Sequence, residues 1–195
     1  MARLPERVSV ALPEWLSERL PSLPDALTEA QAVDLTLELA RQNFEQDTGG
    51  PFAAVVLEKA SGRLVSVGVN RAVPESCSSA HAEVTALSLA QQALGSFDLG
   101  GKGLPEHALI VSWRPCVMCF GALIWSGIRT LVTAGSGPEL ERLTGFDEGP
   151  MIDDWQSALR ARGIEVKDAV ALDRAIQVVR AFSESGRLVY NARRG

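Results

Sequence analysis

The sequence predicts an α/β domain of three layers, a β-sheet held between helices. Three observations carry this reading. Short apolar runs with strand composition alternate with helical patterns from residue 28 onward. The helical patterns begin and end at recognisable capping residues. No internal repeat, low-complexity run or flexible linker interrupts the alternation.

Residues 1–27 carry Pro5, Pro13, Pro21 and Pro24, a density that forbids a long helix. They are expected to form an ordered but irregular arm with a helical turn at Glu14–Leu20. Thr28 is placed as an N-cap with Gln31 in the capping-box position. Ala32, Leu35, Leu39 and Phe44 follow at helical spacing, so a helix should run to about Gln46 and stop at Gly49-Gly50-Pro51. Phe52–Glu58 has the composition of a buried strand, Lys59-Ala60-Ser61-Gly62 that of a turn, and Leu64, Val65, Val67 and Val69 complete a β-hairpin. A second long helix is predicted from Ser79 or Ala80 to about Leu94. Then come a strand at His107–Ser112, a helix at Pro115–Trp125 and a strand at Arg129–Ala134. Glu139–Leu143 and Asp153–Arg162 read as helical, and Gly163 ends the latter. Ile164–Val170 reads as a fifth strand, Leu172–Ser185 as a last helix closed by Gly186, and Arg187–Gly195 as a tail.

The 195 residues suit one domain, which buries roughly 70% of its unfolded surface and needs no disulfides. Net charge is -5, so no basic excess points to nucleic acid or an anionic membrane. The three cysteines, Cys77, Cys116 and Cys119, do not read as a disulfide framework. No apolar signal core and no transmembrane stretch is visible, which makes the cytoplasm the expected location.

Two short words carry the chemistry: His81-Ala82-Glu83 and Pro115-Cys116-Val117-Met118-Cys119. They spell H-x-E and P-C-x-x-C, the signature of zinc-dependent nucleobase deamination. One imidazole and two thiolates hold Zn²⁺ through three ligands and leave the fourth position for water, the pattern of a catalytic site. Pro115 is expected at the first helical position, with Cys116 and Cys119 on one face of the first turn. The positive end of that helix favours thiolates. Glu83 is free to carry protons. His81 and Glu83 are two residues apart, so they work together only if the end of a helix faces the metal. A redox pair would leave His81-Ala82-Glu83 unused, and a four-cysteine ribbon lacks its second pair. Cys77 is read as a small buried residue, His107 as structural, and Trp125 and Trp155 as packing.

On these residues the chain resembles the cytidine deaminase superfamily, and within it the bacterial guanine deaminases, including those that accept the triazine ammeline. The likeness covers about residues 28–195. It rests on Gly50-Pro51-Phe52, Asn70, Ala80-His81-Ala82-Glu83, the P-C-x-x-C word, Gly145-Phe146-Asp147-Glu148-Gly149-Pro150 and Tyr190-Asn191-Ala192-Arg193. The resemblance implies a three-layer fold around a five-stranded mixed sheet. It implies one Zn²⁺ on His81, Cys116 and Cys119, with Glu83 carrying protons and Glu148 as a second acid near the leaving amine. It implies substrate contacts at Phe52, Asn70, Ala82, Asp147 and Tyr190. It also implies a homodimer, with the C-terminal segment of about 172–195 exchanged between partners. Many relatives have an acidic residue before Pro-Cys, where this chain has Arg114.

The expected reaction is hydrolytic deamination of guanine to xanthine and ammonia, with ammeline a further candidate. Alternatives are a deaminase of tRNA adenosine, cytosine or guanosine, and an inactive zinc-stabilised scaffold. The acidic net charge argues against the tRNA reading, and the intact Glu83 against the scaffold.

Overall fold

The computed structural model describes residues 4–191. Ala192 and Arg193 of the tail motif lie outside the described residues. After α1 (Glu14–Arg19) and a 3₁₀ turn (Leu20–Ser22) come α2 (Glu29–Glu45), β1 (Ala53–Glu58), β2 (Leu64–Val69), α3 (Ala82–Leu94) and β3 (His107–Trp113). The chain continues through α4 (Val117–Ser126), β4 (Thr130–Gly135), α5 (Glu139–Thr144), α6 (Trp155–Arg160), β5 (Glu165–Lys167) and α7 (Leu172–Glu184).

The five strands form one mixed sheet in the order β2-β1-β3-β4-β5. β1 runs antiparallel to β2 and β3, whereas β3, β4 and β5 are parallel. Alternate side chains divide the core between the two faces. Val55, Ile110 and Val132 pack with α2 and α7 on one face, where Leu39, Val178 and Phe182 are buried. Ala54, Leu109, Val111 and Leu131 pack with α3, α4 and α6 on the other, with Leu87, Leu123 and Leu159. Cover on both faces explains why β3 and β4 are buried at every position.

The start of α2 is as predicted. Thr28 accepts from the Gln31 backbone N–H, and the Gln31 side chain accepts from Thr28 N–H. The arm is part of the body: Leu16 is fully buried, and Trp15 Nε1 donates to Thr48 Oγ1 at 3.0 Å.

Several boundaries move. α3 begins at Ala82 rather than Ser79 or Ala80, because Ala80 N–H bonds Cys77 O and His81 N–H bonds Ser79 O in tight turns. α4 begins at Val117, so Pro115 lies before the N-cap and not at the first helical position. β5 is only Glu165–Lys167. Asp168 there accepts from Thr133 Oγ1 and Gln156 Nε2, and Ala169 turns to φ 54, which ends the regular ladder.

Trp155 packs in the interior as expected, but Trp125 stands 85% exposed on α4. Cys77 is half-buried beside Ser79 Oγ rather than buried. His107 is structural, with Nδ1 at 2.9 Å from Leu99 O. α7 packs into the core of its own chain through Ala175, Val178, Val179 and Phe182. Among the described residues, no helix is long and apolar enough to cross a membrane.

One contact aims the functional end of the fold. A Cβ on Gly68 would meet Ala82 O at 2.4 Å and Ala86 N at 2.5 Å. The backbone of β2 therefore lies directly against the first turns of α3, and only glycine permits that approach. The N-terminus of α3 is fixed to the sheet by this contact.

Candidate active site

Two helix N-termini converge on one point. His81 is the N-cap of α3, with extended backbone at φ -73 and ψ 158. Cys116 is the N-cap of α4, and Cys119 lies in that helix's first turn. The ligand atoms of His81, Cys116 and Cys119 lie within 4.8 Å of one another, the one such cluster among the described residues. His81 Nδ1 is 3.5 Å from Cys116 Sγ and 3.6 Å from Cys119 Sγ. A tetrahedral zinc, with Zn–S about 2.3 Å and Zn–N about 2.0–2.1 Å, places S and N about 3.6 Å apart. The residues present fit that ion.

The position of His81 removes the difficulty of its spacing from Glu83. As the N-cap it stands outside the helix, so the pair need not share a helical side. Both residues line one cavity of about 340 Å³. Phe52, Asn70, Asp147, Glu148 and Tyr190 line the same cavity, as do Arg114 and Ser78. Ala82 does not. Its side chain is fully buried in the cluster with Val56, Ala86 and Leu87, so a substrate contact at this residue falls to its backbone. Ser78 went unnoticed in the sequence because it sits in a loop without periodicity or motif.

The electrostatics match a cation held by sulfur. A hydrogen bond from Cys119 pulls the Cys116 thiol down to about 4 despite its burial, with His81 assisting. The same hydrogen bond and burial push Cys119 well up. A divalent cation held by the two sulfurs would take the place of that shared proton. Burial would lower His81, but the hydrogen bond with Cys116 and the charge of Glu83 raise it. Burial lifts Glu83 to about 7, and the Cys116 thiolate adds to the rise. Burial likewise lifts Glu148 to about 8, again with Cys116 adding and Arg114 opposing. Two carboxyl groups poised near neutrality beside one cation site are placed to move protons.

The Glu148 loop is tied down from three directions. Val117 N–H donates to Glu148 O at 3.1 Å. Phe146 packs edge-on against Phe52 at 5.1 Å and stacks on Phe182 at 5.5 Å, which links the loop to α7. Asn191 Nδ2 donates to Gly145 O at 2.7 Å, and its Oδ1 accepts from Asp147 N–H at 2.8 Å. Asp147 Oδ1 in turn accepts from Gly149 N–H at 3.0 Å. Arg114 Nη2 lies 2.5 Å from Glu141 Oε1, which holds that cation at the cavity wall. Leu188, Tyr190 and Asn191 therefore line the cavity of their own chain, with Tyr190 40% exposed.

Comparison with known proteins agrees with this geometry. The sequence model of the cytidine and deoxycytidylate deaminase zinc-binding region matches residues 28–135. The guanine deaminase of Bacillus subtilis is 32% identical over 110 residues, which make up 56% of this chain and 65% of that protein. The match thus spans just under two thirds of that relative's length. Among solved structures, a guanine deaminase from Nitrosomonas europaea is 43% identical with a TM-score of 0.87, covering 94% of this chain and all (100%) of that one. A protein solved in complex with 2,6-diaminopurine is 44% identical with a TM-score of 0.88, covering 96% of this chain and 98% of that one.

Proposed function

Because this chain belongs to the cytidine and deoxycytidylate deaminase zinc-binding family, we propose that it deaminates a free purine base, guanine, to xanthine and ammonia. One observation carries the reading: a one-imidazole, two-thiol cation site and the buried carboxyl of Glu83 share a cavity with Phe52 and Asn70. Likeness to a guanine deaminase over nearly the whole chain supports the choice of base.

When bound, Zn²⁺ on His81, Cys116 and Cys119 supplies the Lewis acidity that makes water a nucleophile near neutral pH. Glu83 accepts a proton from the attacking water and passes it to the ring nitrogen next to the amino-bearing carbon, C2 of guanine. The remaining hydroxyl proton travels to the amine, because NH₂⁻ does not leave. Glu148, held protonated by its burial, gives its proton to the amine as the second acid and takes the hydroxyl proton in its place. Phe52 packs against the planar base, and Asn70 hydrogen-bonds its edge. Water supplies its oxygen and one hydrogen to the ring and its other hydrogen to the ammonia, so the reaction balances without an oxidant or a further co-reactant.

The test is ammonia release by the zinc-loaded protein from guanine, ammeline, guanosine, adenine, cytosine and cytidine. Guanine as the best substrate, by kcat/KM, upholds the proposal. A better cytosine or nucleoside changes the substrate, and no release from any returns the chain to a scaffold.

A Glu148→Gln substitution tests the second acid. The amide cannot release a proton, so kcat should fall about 10²-fold or more while KM stays within about threefold. Unchanged steady-state rates would reduce Glu148 to a turn residue.

The proposal includes a homodimer. Its support is the outer surface of α4, where Trp125 is 85% exposed. The exchange of about residues 172–195 between partners is part of that proposal; within one chain α7 packs in the core, and Leu188, Tyr190 and Asn191 line the cavity. The acidic net charge of -5 supports a small-molecule substrate over a nucleic acid, and three free thiols suit the cytoplasm.

A further inference from the structure

Asn43 is a polar residue in the last turn of α2, on the face turned to the core, and it is fully buried. Such an amide costs stability unless all its hydrogen-bonding groups are used. Here each atom has a partner. Nδ2 donates to Gly50 O at 2.8 Å and to Asn70 O at 2.9 Å, and Oδ1 accepts from Thr48 Oγ1 at 2.9 Å. Gly50 and Asn70 belong to different segments, the turn before β1 and the residue after β2. Both line the active-site cavity.

The two segments are pressed together at this point. A Cβ on Gly49, whose φ is +153, would lie 1.8 Å from Asn70 O and 2.6 Å from Asn43 Nδ2. Phe52 N–H bonds Gly50 O at 2.8 Å, and Asn70 N–H bonds Phe52 O at 3.0 Å. The Asn70 side chain accepts from Ala72 N–H through Oδ1 at 3.3 Å, and its Nδ2 is the end without a protein partner among the described residues. A single buried amide therefore sets the backbone of the residue assigned to the base edge and the turn that leads to the aromatic wall.

We propose that Asn43 is a positioning residue for substrate recognition. It clamps the Gly50 and Asn70 carbonyls so that the Asn70 amide meets the base in one orientation. Asn43 touches neither substrate nor metal. The inference rests on the assignment of Asn70 as a base contact.

The test uses the full-length, zinc-loaded chain and steady-state deamination of guanine. Asn43→Asp keeps the shape but removes both donors. Should that buried charge prevent folding, Asn43→Ser carries the test, with folding checked by circular dichroism. The expected result is a KM raised about tenfold, with kcat within about threefold and one zinc per chain. Combining the substitution with Asn70→Ala supplies a reading that general loosening would not move. If Asn43 acts through Asn70, it adds no further rise in KM once the Asn70 amide is gone. A wild-type KM in Asn43→Ser, an equal rise in both backgrounds, or a fall in kcat at constant KM overturns the inference. If Asn70→Ala alone leaves KM unchanged, the assignment of Asn70 fails and takes the inference with it. If Asn70→Ala raises KM and Asn43→Ser does not, the inference alone fails.

Discussion

Replacing Glu83 with alanine is expected to abolish ammonia release from guanine while leaving one zinc per chain. Glu83 lies in the first turn of α3, two residues after a metal ligand, and is 8% exposed. Burial brings its carboxyl to about 7, so both protonation states are accessible at neutral pH. A single positioned acid–base group contributes about 10²–10⁴-fold. In the proposed mechanism Glu83 serves two successive transfers, one from water and one to the ring, so the loss should reach the upper end of that range. The metal set does not include it, and metal content should not change. Colorimetric ammonia assay and elemental analysis of the same preparation check both halves. Turnover near that of the wild type would remove Glu83 from the mechanism, and loss of zinc would make it a ligand.

Cys116→Ala is expected to cost the metal itself. Cys116 is the sulfur most disposed to be a thiolate, at about 4, and it stands at the N-cap of α4 where the helix end favours negative charge. Removing it leaves one imidazole and one thiol, too few to hold zinc against dilution. Structural zinc in small peptides is worth about 10–16 kcal/mol at pH 7, so the lost affinity should be many orders of magnitude. Activity should disappear with the metal, and the melting temperature should fall. Far-UV circular dichroism should persist, since the sheet and its two buried clusters do not depend on the site. A Cys116→Ala protein that keeps stoichiometric zinc after dialysis would show that other residues hold the ion.

The fold was legible where local physics decides it. The Thr28–Gln31 capping box, the hairpin turn before Leu64, and the glycines after α6 and α7 are signals contained in a few neighbouring residues. The metal ligands were legible for a different reason: a cation accepts few side-chain types, and their spacing marks a helix start. Boundaries were less so. Pro115 was expected to open its helix, but Cys116 caps it instead, and that shift faces the thiol towards His81. Glu148 and Tyr190 entered only through family resemblance, because a carboxyl between two glycines and a ring near the tail look alike in a surface turn and in a cavity wall.

By itself, then, the sequence determined the alternation of strands and helices and the one imidazole and two thiols of the cation site, and it marked Glu83 as the proposed proton carrier. Only the tertiary structure decided that His81 stands as an N-cap so that Glu83 shares its cavity. It also buried the Ala82 side chain in the core, left Trp125 in the open, and bound Asn43 to the carbonyls of Gly50 and Asn70. Helical spacing and capping are properties of adjacent residues. Which buried amide meets which carbonyl depends on chain segments 27 residues apart being packed against each other, as Asn43 and Asn70 are.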